Sequence, residues 1–280
     1  MKVVFVIVPL AFGALALALG QDGNWDLRNY HWYNPYAFIT DRLTFDVGAA
    51  QPATYYNPLL DLPFYWLATH APARVVGFAL GFVQGLNFVL LYLISARLLP
   101  ALQGRSLTIT AALIAIAGVG GGGNLGLLGT TYNDNIVSLL VLGALLIVIA
   151  GERPRRLLVA GFIVGCGVSL KLPTLIYAVG LCAALLFIPE APLRRIRHSV
   201  LFGCGVLAGI AIVGGPWFIR MWLEFGNPLF PYFNQFIHSP MGLPESYRDT
   251  RFLPHGFWRT LLFPLVFSRY PLTVGEAQFV

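Results

Sequence analysis

Seven apolar runs cross the sequence, at about residues 3–20, 74–96, 107–123, 135–150, 157–170, 172–188 and 199–222; an eighth starts near 257 and contains Pro264. A helix needs roughly 20 apolar residues to cross the hydrocarbon core of a bilayer, so this pattern predicts membrane-spanning helices. The stretch 157–188 divides at Lys171 and Pro173. An ammonium at mid-bilayer is costly and proline breaks the hydrogen-bond ladder, so a helix–loop–helix pair is expected there. The prediction is an all-α membrane protein, a polytopic helical bundle of seven to eight spans forming one module over residues 1–280. The first run reads as a retained anchor, although Lys2 and Ala18-Leu19-Gly20 also suit a cleaved signal peptide.

Two connections are long, about 21–73 and 223–257, and the rest are short. The first long loop is dense in aromatics: residues 25–66 hold 12 of the chain's 39 Phe, Tyr and Trp. Such a segment suits a membrane interface, rings inward and polar edges outward, and short interfacial helices are expected over 24–36 and 58–67. Asn24 is placed to cap the first, which Pro35 should break near Tyr33. On that helix Asp26, Asn29, Tyr30 and Tyr33 share a face. Pro58 should open the second, which carries Asp61. In the second long loop Gly226-Asn227-Pro228 is a turn signal. Gly77, Gly81 and Gly85 recur every four residues and predict close helix packing.

Composition agrees with this pattern. Charged residues make up 11% and apolar residues 57%, whereas an ordinary soluble domain carries about 25% charge. With the N-terminus inside, the inner segments hold nine basic residues against Glu152 and Glu190, and the outer segments hold nine against ten acids. That split follows the positive-inside rule and accounts for the net charge of +6 without a nucleic-acid partner. All six tryptophans fall on or near the outer side. The three cysteines lie within apolar runs without metal-ligand spacing and read as small buried residues.

The outer side also gathers the candidate chemistry. Five carboxylates lie in the first loop: Asp22, Asp26, Asp41, Asp46 and Asp61. Asp26, close behind the first run and flanked by Trp25 and Arg28, is placed to meet a water-borne substrate and a lipid-held one, and is the candidate general base. Lys171, Arg220 and Arg251 are the candidate cations for a lipid-linked phosphate, Lys as a point charge and Arg as a bidentate donor. Arg28, Tyr30, Tyr55, Tyr56 and Asp134 are the candidate substrate-binding residues. The glycine run at 120–129 lacks the Lys-Ser/Thr ending of a phosphate loop and is set aside.

Two motifs carry a family resemblance. Asn24-Trp25-Asp26-Leu27-Arg28-Asn29-Tyr30, following an N-terminal span, resembles the first loop of integral-membrane glycosyltransferases of the GT-C architecture. Pro216-Trp217 with Gly226-Asn227-Pro228-Leu229-Phe230-Pro231 is similar to the end of the seventh helix in many bacterial members. The resemblance implies a glycosyltransferase that moves a sugar from a polyprenyl-phosphate donor to a glycan, lipid or protein acceptor, with inversion. It would act at the outer face of a bacterial inner membrane, with Asp26 as the catalytic carboxylate. Members usually run longer, so further carboxy-terminal spans are expected. Asp26 has no second acid in a DxD arrangement; no cofactor is expected, cationic side chains are favoured over a metal for the phosphate, and a divalent metal stays open. The alternative is a transporter or lipid-linked-sugar flippase, which would need charge at the bilayer midplane. Reporter fusions test the topology: positions near 50 and 240 should report outside and position 154 inside.

Overall fold

A computed structural model describes residues 4–151, 153–245, 253–263 and 265. Every regular element among them is helical. α1 (Val4–Leu19) is followed by a loop holding a π-helical turn (Leu27–His31), α2 (Tyr33–Ile39), 3-10 turns at Gln51–Tyr55 and Pro58–Leu60, and α3 (Leu62–His70). Next come α4 (Ala73–Leu98), α5 (Gly104–Val119), the short α6 (Gly122–Gly126), α7 (Asp134–Ile149) and α8 (Pro154–Leu170). A 3-10 turn at Leu172–Thr174 leads into α9 (Leu175–Leu185). α10 (Pro192–Gly209), a π-helical segment (Ile210–Gly214) and α11 (Gly215–Phe225) form one continuous rod, followed by α12 (Asn234–Ile237) and α13 (Phe257–Leu261). Each of the seven apolar runs is thus a helix. Two of these, α4 and the rod Pro192–Phe225, are long and apolar enough to cross a membrane. α1, α5 and α7 have 16 residues each, which at 1.5 Å per residue is about 24 Å.

The local expectations fare unevenly. Lys171 is extended (φ −147°, ψ 103°) and separates α8 from the following 3-10 turn, as its position beside Pro173 predicts. Asn24 caps as expected, its Oδ1 accepting from the Leu27 amide at 2.7 Å. Pro35 does not break the loop helix. It lies in the first turn of α2, where its missing N–H would have had no helical partner. Gly226 (φ +66°) ends α11 in the left-handed region, which a side chain would strain.

α4 is central, with α1, α5 and α7 packed on it; α8 packs on α7 and α10, and α9 on α8 and α10. The helices meet at small residues. A β-carbon on Gly81 would lie 2.6 Å from Ala16 Cβ, and one on Gly85 would lie 2.7 Å from Phe12 Cβ. α8 and α10 approach more closely still. A β-carbon on Gly161 or Gly165 would fall 2.0 Å or 2.2 Å from the carbonyl oxygens of Phe202 and Val206. In return, one on Gly205 or Gly209 would fall 2.3 Å from those of Leu158 and Phe162. Buried polar side chains tie α4 to α7 and to the segment before it. Gln84 accepts from the Gly129 amide (2.7 Å) and donates to the Thr130 carbonyl (3.0 Å). Asn87 donates to the Asn135 carbonyl (2.7 Å) and accepts from Ser138 (2.8 Å). The outer surface is apolar, with Ile176, Val179, Phe187 and Leu207 all exposed.

The glycine contacts give a stability prediction. Gly161→Ala forces a methyl group into backbone and should cost about 1–3 kcal/mol or more. Gly143 in α7 faces open space, so Gly143→Ala should stabilise by up to about 1 kcal/mol. Thermal unfolding of the two purified variants beside the wild type checks the contrast.

Candidate functional site

One end of the bundle is closed by the first loop and by the segment after α11. Aromatic packing holds them: Tyr55 meets Phe225 and Phe230 edge-on at 5.1 Å and 4.7 Å, and its carbonyl accepts from Trp217 Nε1 at 3.2 Å. Asn227 is fully buried, accepting from the Leu229 amide (3.0 Å) and donating to the Tyr232 carbonyl (2.9 Å). Asn57 donates to the Ser169 carbonyl (3.1 Å), fixing the loop to the end of α8. Asp22 accepts from the Thr131 amide (2.7 Å) and hydroxyl (2.9 Å), fixing it to the segment before α7.

Beside these attachments lies a cavity of about 820 Å³, open along α9 and within the range of small-molecule sites. Its wall has two characters. Val168, Leu172, Ile176, Val179, Phe218 and Met221 make an apolar side, while Tyr30, His31, Asp61, Asn133 and Lys171 supply polar groups.

The polar groups are interlinked. Asp61 is 6% exposed, and its Oδ1 accepts from His31 Nδ1 at 2.8 Å and from Asn133 Nδ2 at 2.7 Å. An ionised carboxylate only accepts, so the proton of this bond belongs to Nδ1. Nε2, across the ring, is buried with no hydrogen-bond partner. Tyr30 lies beside His31, ring centroids 4.2 Å apart, and donates its hydroxyl to Asp26 Oδ2 at 2.8 Å. Burial first, and then that bond, push the Tyr30 phenol well above its ordinary value. Tyr232 is raised by burial and then by Tyr56, whose hydroxyl lies 2.9 Å from its own.

The predicted residues divide into four groups. Tyr30, Tyr55, Tyr56 and Lys171 line the cavity. Lys171 forms an ion pair of 2.8 Å with Asp134, which stands in the first turn of α7. Asp26 lies one side chain behind the wall, reached through Tyr30. Arg28 and Arg220 do not line the cavity. Arg220 pairs with Asp41 and lies over the Phe38 ring. Tyr55 borders the cavity while its ring packs edge-on against Phe225 and Phe230. Tyr33 does not join Asp26 on one face. Its hydroxyl donates to Asp46 (2.5 Å), because the turn before it is π-helical and the 3.6-residue spacing does not carry through. Arg251 lies outside the described residues. Among the described residues no three His, Cys, Asp or Glu side chains gather.

His31, Asn57 and Asn133 were not singled out by the sequence. Thirty positions separate His31 from Asp61 and 72 separate Asp61 from Asn133, so no local spacing connects them. No protein-family profile, curated protein or solved structure matches the chain.

The raised Tyr30 phenol gives a pH prediction. The folded chain keeps this proton above pH 10, where the unfolded chain releases it. Its contribution to stability is therefore complete below about pH 10 and is lost as pH rises through the higher folded value. Thermal unfolding between pH 9 and 11 should show a decline that is shallower in Tyr30→Phe.

Proposed function

We propose that the chain is a polytopic membrane glycosyltransferase that takes sugar from a polyprenyl-phosphate donor. The observation that carries this reading is the two-character cavity. An apolar wall beside a cluster of polar and cationic groups fits a molecule with a hydrocarbon tail and a charged head. A purely polar substrate would leave the aliphatic wall against water, and a plain hydrocarbon would take solvent from the Lys171–Asp134 pair and leave His31 Nε2 without a partner.

The surface supports a membrane setting. Soluble monomers rarely expose large continuous apolar areas, and here α9 alone exposes Ile176, Tyr177 and Val179. In this reading the helices of the seven apolar runs form a polytopic bundle in a bacterial inner membrane, with the N-terminus cytoplasmic and both long loops outside. The cavity then lies at the outer rim, and its apolar side continues into lipid.

The chemistry is a single displacement. The acceptor oxygen bonds to the anomeric carbon, and the bond from that carbon to the phosphate oxygen breaks. The electron pair leaves with the lipid phosphate, and the acceptor's proton passes to a base. The phosphate is a good leaving group, so the protein must mainly supply that base and positive charge. Lys171 supplies the charge, and its pairing with Asp134 holds the ammonium in place. Tyr30 and Tyr56 border the sugar.

Membranes containing the chain, incubated with radiolabelled polyprenyl-phosphate sugars, should move label into a lipid, glycan or protein fraction. Binding without transfer would favour the flippase or transporter, and neither binding nor transfer would overturn the reading. Lys171→Gln removes a charge-assisted contact worth about 1.5–3 kcal/mol and should raise the donor KM by about 10–100-fold. Kinetics with varied donor concentration check it.

A further inference from the structure

We propose that His31 is the catalytic base, with Asp61 and Asn133 as the positioning residues that orient it. The inference rests on the glycosyl-transfer reading and names the group that accepts the proton.

The geometry favours His31 over Asp26. His31 belongs to the cavity wall, and Asp26 does not. Asp26 Oδ2 already accepts the Tyr30 hydroxyl at 2.8 Å, so an acceptor would have to displace that phenol. Nε2 of His31 holds a lone pair and no partner at 5% residue exposure. Nε2 itself is closed to water, so a hydroxyl reaches it only as the side chains over it shift; because a buried acceptor left unpaired costs about 1–3 kcal/mol, the hydrogen bond so formed offsets that movement. The opposite nitrogen is committed: Nδ1–H donates to Asp61 (2.8 Å), whose same oxygen accepts from Asn133 (2.7 Å). A base held by a second group, itself held by a third, is the arrangement by which imidazoles are activated toward hydroxyl groups. The carboxylate fixes the tautomer with Nε2 unprotonated and stabilises the imidazolium that forms.

The step balances. The acceptor O–H bond breaks and its proton goes to Nε2, while the oxygen bonds to the anomeric carbon. The phosphate departs with the electron pair of the broken C–O bond, and the imidazolium later releases its proton to water. The titratable and charged groups around His31 are Asp61 on Nδ1 and Tyr30 beside the ring, with Asp26 behind Tyr30. Lys171, Tyr56 and Tyr232 line the same cavity, and Asp134 pairs with Lys171.

The test uses the full chain in membranes, with whichever lipid-phosphate sugar it turns over. His31→Gln should lower kcat by about 10²–10⁴, with the donor KM within about threefold. The wild-type profile should lose activity on the acid side as the imidazole is protonated, and this limb should be absent in His31→Gln. Because that variant leaves Asp61 without its imidazole, a second variant combines it with Asp61→Asn, leaving no stranded carboxylate. The double variant should show about the same loss as His31→Gln alone, as members of one catalytic unit do. Asp26→Asn should keep more than about a tenth of wild-type kcat, with its acid limb intact. A double variant that folds and keeps more than about a tenth of kcat, or a His31→Gln profile with the acid limb unchanged, overturns the proposal and leaves the glycosyl-transfer reading standing. Loss of the limb in Asp26→Asn instead would return the role to Asp26. A wild type that transfers no sugar from any lipid phosphate overturns both.

Discussion

A carboxylate withdrawn from water must be paired, and Asp61 is the residue on which that constraint falls. It is buried between the 3-10 turn at Pro58–Leu60 and α3, and its partners come from elsewhere: His31 from the first loop's π-helical turn and Asn133 from the residue before α7. Breaking such a buried pair by removing one partner typically costs about 3–5 kcal/mol. Three segments distant in sequence therefore share one oxygen atom. The first loop would otherwise be a long strand of aromatics without regular core packing; with Asp61 satisfied it becomes a floor across one end of the bundle. Asp22 on Thr131 and Asn57 on Ser169 fasten its two margins.

Around that floor the division of labour is plain. Aliphatic residues from α8, α9 and α11 form one wall, and hydroxyl, imidazole and ammonium groups gather opposite character into the same space. Lys171 reaches it because α8 stops where it does. The extended residue after Leu170 turns the chain and presents the side chain to Asp134. An isolated, half-exposed pair of this kind adds little to stability, so its value lies in holding a cation at a fixed place.

Much of the helical framework was legible in the sequence. Unbroken apolar runs leave a chain with few alternatives to helices, and each run became one. Asn24 was legible as a cap because capping is local, and Gly81 and Gly85 as a packing face because their spacing repeats on one helix. Pro35 misled because the same ring that breaks a helix interior is harmless in a first turn, and nothing near it in the sequence says which applies. Tyr33 misled because a π turn changes the residue spacing. Gln84 and Asn87 lay hidden inside an apolar run, their partners 45 to 51 positions away. The cavity was legible only by its edges: Tyr30, Tyr56 and Lys171 were found by chemistry, whereas His31 gains its meaning from Asp61 and from burial, which only the fold supplies.

The glycine contacts between α8 and α10 have a mechanical consequence. An interface lined by side chains can absorb a displacement by choosing new rotamers. One in which backbone lies directly on backbone has no such reserve, so the two helices shift together or not at all. Just beyond Gly209 the rod passes through the π-helical segment Ile210–Gly214, where the hydrogen-bond ladder changes step. That segment still packs on α8, so α11, which carries Trp217 and Met221 into the cavity wall, starts from a rod that α8 holds on both sides of the change in step.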